Sequence, residues 1–154
     1  MTRQRDGIDV EDPWQAIEAC YEQSWTDGLP VVPPTKSLVA RMLAAGPWAK
    51  DEVLLFEPAR NITVTAHNAA VNAVMAGCRP EYFPVVGAAL RAAGGPAFQL
   101  HRPATNTRRA APLIIVNGIL RQRLGIPGGG NLLGPRFRAN ATHGRALRVG
   151  LLNC

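Results

Sequence analysis

The chain has 154 residues, 47% of them hydrophobic and 18% charged, a balance that excludes a disordered polypeptide and fits one globular domain. No apolar run approaches the ~20 residues of a membrane span, and the polar stretch 1–12 has no secretory pattern, so a cytoplasmic location is expected. Charge is segregated: seven basic against eleven acidic residues leave 1–81 at −4, whereas 82–154 carry ten arginines and no carboxylate. Such a half calls for an anionic ligand, nucleic acid or an acidic protein surface; folding of the acidic half against the basic one offsets part of it.

Residues 1–12 read as a mobile tail before a single domain, 13–154. Asp12-Pro13 is an N-cap followed by a first helical position, and Trp14, Ile17, Cys20, Tyr21 and Trp25 place an apolar stripe on a helix over 13–25. Gly28 ends it, and three prolines stiffen 29–34. Thr35 caps a helix over 36–45, with Leu38 and Met42 inward. A short strand is expected over 52–56. Thr63 or Thr65 then caps a helix over 66–76, with His67, Val71, Val74, Met75 and Cys78 on one side and Gly77 as its left-handed terminator.

Pro80 opens a further helix over 81–93, closed by Gly94-Gly95-Pro96. Residues 97–101 are a strand candidate and 102–109 an irregular basic loop. The continuous apolar run 112–116 suits a strand buried on both faces, with a turn at Asn117-Gly118. A helical turn over 119–124 leads to a glycine-rich loop (Gly128, Gly129, Gly130, Gly134) and a last helix over 137–152. The class is α/β or α+β, helix-rich, with a few short strands.

Chemistry concentrates near that loop. Glycines let backbone N–H groups approach a ligand, and a helix N-terminus favours an anion. The loop lacks the pattern of a dinucleotide fingerprint or a P-loop. On the last helix Asn140, Gly144, Leu147 and Leu151 share one face, so Asn140 is expected to be buried near the loop, there to hold substrate or to brace the loop. Arg138, Arg145 and Arg148 share another face, readable as a solvated stripe. His67 is a candidate proton-transfer group or a packed core histidine. Asn117 and Asn131 end the apolar run and follow the glycines, where ligands of open sheets sit. Cys78 reads as a small buried residue, and three cysteines and three histidines form neither a disulfide framework nor a metal site.

Four blocks, Asp27-Gly-Leu-Pro-Val-Val-Pro-Pro-Thr35, Ala70-Val-Asn-Ala-Val-Met-Ala-Gly-Cys-Arg-Pro-Glu-Tyr-Phe-Pro84, Ala111-Pro-Leu-Ile-Ile-Val-Asn-Gly118 and Arg138-Ala-Asn-Ala-Thr-His-Gly-Arg-Ala-Leu-Arg148, resemble the UGSC-type (seleno)protein family. The Cys-Gly-Ser-Cys segment of that family is missing, so its redox chemistry is not implied. Members tend to have Glu where this chain has His67 and His where it has Arg108, and they extend past the position of Cys154. The resemblance implies a short, diverged copy working beside a complementary subunit.

Together these readings lead to an expectation of a subunit of a small-molecule enzyme. It acts on an anionic substrate by lyase- or hydrolase-like acid–base chemistry in a hetero-oligomer, with no cofactor signature. His67 and Asn140 are the catalytic candidates; Arg108, Arg109, Asn117, Gly129, Gly130, Asn131 and Arg138 are the substrate-binding ones. A basic nucleic-acid-binding module and a non-catalytic structural partner are the alternatives; few aromatic residues in the basic half weaken the former.

Overall fold

The computed structural model describes residues 8–98, 100, 112–130, 132, 134 and 136–154. Six α-helices and one two-stranded antiparallel sheet make a helix-rich α+β domain among these residues. Helix α1 is Pro13–Glu22, α2 Lys36–Ala44, α3 Ala66–Met75, α4 Phe83–Ala93, α5 Ile119–Arg123 and α6 Arg138–Asn153; the strands are β1 Val53–Glu57 and β2 Ile62–Thr65.

Helix α3 is the hub. The Thr65 hydroxyl caps it by accepting from the Asn68 N–H. Ala66, Ala69, Ala70 and Ala73 are all buried, and side chains this small let α2, α4 and α6 pack close on several sides. Helix α6 packs on α3. Its start docks at Gly77, where Arg138 Nε donates to the carbonyl at 2.9 Å. Its end reaches Asn72, whose Oδ1 accepts from Asn153 Nδ2 at 2.7 Å. Trp48 wedges against Gly46 and Gly87 and meets Phe83 edge-on, with ring centroids 5.7 Å apart.

β1 and β2 form a hairpin in register Leu55↔Val64, Phe56↔Thr63 and Glu57↔Ile62. The Glu57 carboxylate closes the turn by accepting from the N–H groups of Ala59 and Arg60. β2 was not expected from sequence, where Thr63 and Thr65 read only as caps; its short Ile-Thr-Val-Thr alternation is the signal, with Ile62 and Val64 buried.

Several expectations are corrected. α1 stops at Glu22, where the chain turns through Ser24 at φ +54°, and Trp14 is 69% exposed instead of inward. The helix expected over 81–93 begins as a 3₁₀ turn, Pro80–Tyr82, before α4. Ala97, Phe98 and Leu100 lie in turns, not a strand. The run 112–116 is not a doubly buried strand: it lies outside the two-stranded sheet, with Leu113 69% and Ile115 73% exposed. No parallel sheet exists among the described residues to take it. The inward face of α6 is Ala139, Thr142, His143, Ala146, Leu147, Val149 and Gly150 rather than the Asn140–Gly144–Leu147–Leu151 row; Gly144 is exposed. Docking on the narrow alanine ridge of α3 selects the small-residue side of α6.

No described helix is long and apolar enough to cross a membrane.

A candidate anion site at the start of the last helix

Gly77, at φ +84°, ends α3 in the left-handed conformation, and Cys78 N–H bonds back to the Ala73 carbonyl at 2.9 Å. This reversal projects Arg79, Glu81 and Tyr82 towards the beginning of α6. The Cys78 thiol donates to the Thr142 carbonyl at 3.5 Å, and Arg138 is fixed on the Gly77 carbonyl. From a third direction comes the end of α5, with Arg123. The three elements enclose a hollow of about 340 Å³ whose lining includes Arg79, Arg123, Arg136, Arg138, Glu81 and Tyr82.

Four arginines thus share the lining with one carboxylate residue. Among the described residues one ion pair lies there, Arg79–Glu81, 3.8 Å long with both side chains more than half exposed, so it neutralises little. The start of α6 adds to the positive field. Phe137 at the N-cap supplies no side-chain acceptor, and the first turn has no acidic residue. Among the described residues, no side chain caps the leading N–H groups at the positive end of this 16-residue helix. Arg136, immediately before, has φ +89°, a conformation that costs an arginine on the order of 1–3 kcal/mol and persists only where surroundings enforce it.

Behind the hollow, buried Tyr82 stacks on buried His143 with centroids 5.0 Å apart. His143 Nδ1 is held by the Ala139 carbonyl, and Nε2 has no hydrogen bond of standard geometry among the described residues. Burial lowers the pKa of this ring, the Ala139 and Tyr82 backbone opposing, so it favours the neutral form. Burial likewise pushes the Cys78 thiol up to about 11, against weaker pulls from Thr142 and Arg138. A thiol so protonated is a packing group, as its sequence position suggests.

The residues singled out from sequence fall in different places. Arg138 lines the hollow. Gly129 and Gly130 are exposed, and a Cβ at either would meet nothing within 4 Å, so no close approach explains them there. Asn117 is exposed and borders a separate apolar groove against α4. Asn140 is half-buried and its Nδ2 donates to the Leu132 carbonyl at 2.6 Å, bracing the glycine-rich loop. His67 is half-buried in the first turn of α3, with its backbone N–H on the Lys50 carbonyl. His67 thus lies in the first turn of α3, whereas Asn140 lies near the start of α6, which docks on Gly77 beyond the other end of α3. Arg108, Arg109 and Asn131 lie outside the described residues.

Sequence reading missed Arg79, Arg123 and Arg136 as partners of Arg138. The signal was available only as arginine abundance, because three separate elements supply them. It also grouped Arg145 with a solvated stripe. Arg145 Nη2 instead bonds Asp27 at 2.8 Å and the Leu29 carbonyl at 3.1 Å, with side-chain exposures of 19% and 10% for Arg145 and Asp27. The Arg145 hydrogen bond holds the Asp27 carboxyl below its usual range, with burial opposing.

Comparison of the chain with models of protein families, with curated proteins and with solved structures gave no match.

Proposed function

We propose that this chain binds a small anionic substrate in the arginine-lined hollow at the start of α6, as a subunit of a small-molecule enzyme with acid–base, lyase- or hydrolase-like chemistry. One observation carries the reading: Arg79, Arg123, Arg136 and Arg138 converge from three elements on an uncapped helix N-terminus, with Glu81 as the lone carboxylate in the lining. Guanidinium forks suit carboxylate or phosphate oxygens, and the helix end adds backbone donors. A hollow of about 340 Å³ is the size of a small-molecule site rather than of a nucleic-acid groove. Glu81 and Tyr82 supply the side chains of this lining suited to acid–base work. The complementary subunit implied by the sequence resemblance, with the acidic surface that the basic half calls for, belongs to the same proposal and would cover arginines that the hollow leaves exposed.

Isothermal titration with inorganic phosphate, pyrophosphate and citrate tests the site. Each charge-assisted bond is worth about 1.5–3 kcal/mol, so Arg136→Ala and Arg123→Ala should each weaken binding by about 10- to 100-fold. Arg148→Ala, on the exposed side of α6, should leave it unchanged. Failure of the wild-type chain to bind any of the three anions, or an equal loss in Arg148→Ala, refutes the reading.

A further inference from the structure

The other concavity of the molecule has opposite chemistry. Residues 112–117 lie beside α4 and enclose with it a groove of about 470 Å³, lined by Ala88, Ala89, Ala92, Phe98, Ile115 and Leu120 among others, with no ionisable side chain among the described residues of the lining. Side chains along the run alternate. Ile114 and Val116 are half-buried and pack against the core, while Leu113 and Ile115 stand out in solvent. Period-two alternation is that of a β-strand. Yet no residue from 112 to 117 makes a backbone hydrogen bond to another described residue, and none joins the sheet. Among the described residues, the segment has the side-chain order of a strand, an edge without a backbone partner and one exposed apolar face.

We infer that this face pairs two copies of the chain, edge to edge along residues 112–117, with Leu113, Ile115, Ile119 and Leu120 of each copy covered by the other. Three features select a second copy. First, an occupant of the face must bring apolar surface and strand-like backbone together, since covering 112–117 with side chains alone would strand its N–H and C=O groups. A second copy brings both, and antiparallel pairing of identical segments closes about a two-fold axis.

Second, the charges fit. From Ala110 to Leu120 the sequence has no ionisable residue. A partner selected by its acidity would find its contacts at the arginine hollow and none here, whereas two uncharged faces oppose no like charges at their centre. Third, the area suffices. The exposed parts of Phe98, Leu113, Ile115, Ile119 and Leu120 add to roughly 500 Å², the scale at which an apolar patch marks an interaction surface. The walls of the groove extend this towards the ~800 Å² per partner of a stable interface.

Sedimentation equilibrium of the full chain, at low and high sodium chloride, is the test. The expected result is a species of twice 16.5 kDa whose dissociation constant does not rise with salt. Ile115→Lys and Leu113→Lys should each weaken association by more than about tenfold, because they place a charge at the centre of the pairing. Both positions are exposed in the single chain, so circular dichroism and melting of the dissociated variants should match the wild type. Leu152→Lys, exposed on α6, should remain dimeric. Hydrogen exchange should find the 113–117 amides protected in the wild-type dimer and unprotected in Ile115→Lys. A wild-type monomer throughout the micromolar range overturns the inference, as does a dimer indifferent to Ile115→Lys. Protected 113–117 amides in a monomer also overturn it, since the edge is then occupied within the chain.

Discussion

Replacing Arg145 by alanine should destabilise the protein far more than loss of a surface ion pair. The guanidinium bonds both Asp27 oxygens and the Leu29 carbonyl, and tethers the stiff segment after α1 to the middle of α6. Removing one member of a fully buried pair costs about 3–5 kcal/mol, because the remaining charge is desolvated without compensation. This pair keeps slight contact with solvent, so we expect about 2–3 kcal/mol at pH 7. That corresponds to a fall in melting temperature of roughly 5–10 °C for a chain of this length.

The effect has a definite pH dependence. The carboxyl of Asp27 is held below its unfolded value, so the unfolded chain binds the proton more readily than the folded one. The contribution to stability is therefore complete above the unfolded carboxylate pKa of about 3.9 and disappears as pH falls through the lower, folded value. Urea titrations of wild type and Arg145→Ala from neutral to acidic pH should converge at the acid end. A leucine pair, Asp27→Leu with Arg145→Leu, should recover most of the loss, since it leaves no orphaned charge. A loss below about 0.5 kcal/mol at pH 7, or one independent of pH, would refute the assignment of a buried, mutually dependent pair.

Gly87→Ala should cost about 1–3 kcal/mol despite the better helix propensity of alanine, because its Cβ would sit 2.2 Å from the Trp48 ring. Trp48→Leu should restore tolerance of the alanine, measured as a non-additive double-mutant cycle by thermal melting. Cys78→Ala should cost roughly 1 kcal/mol, and in the wild type the thiol should react with a disulfide reagent at alkaline pH far faster than at neutral pH, as a pKa near 11 dictates. Asn140→Ala removes the tie to the Leu132 carbonyl, so limited proteolysis should cut the glycine-rich loop faster while the melting temperature changes by only a few degrees.

Elements governed by local chemistry were legible in the sequence. Asp12, Thr35 and Thr65 each cap the helix expected of them, because an N-cap is set by hydrogen bonds to the next two or three residues. The helix expected over 66–76 and the left-handed Gly77 were equally local, but of its expected inward stripe His67 and Val71 are only half-buried, and the buried row is Ala66, Ala69, Ala70 and Ala73. What failed depended on distant partners. The inward face of α6 was set by the alanine ridge of α3, some seventy residues earlier, and could not be read from the spacing of Asn140, Gly144, Leu147 and Leu151. The run 112–116 was expected to be a strand buried on both faces, but such burial needs neighbours that the two-stranded sheet does not supply. For the candidate site, an anion-seeking helix start with Arg138 was anticipated, whereas its cluster of arginines arises only when α3, α5 and α6 meet.

The clasp between α6 and the rest of the molecule also orders events in time. Its fastenings join residues far apart along the chain: Arg138 to Gly77, Arg145 to Asp27, and Asn153 to Asn72 and to the Trp25 carbonyl. Contacts of such separation form late, after the intervening loop entropy has been paid. On the ribosome, α3 emerges some seventy residues before the helix that seals it, and its alanine groove spends that interval without its cover. The arginine hollow, one wall of which is the first turn of α6, cannot exist until that last docking event. Binding of an anion there would report completion of the fold, and would favour it by mass action on the final step of assembly.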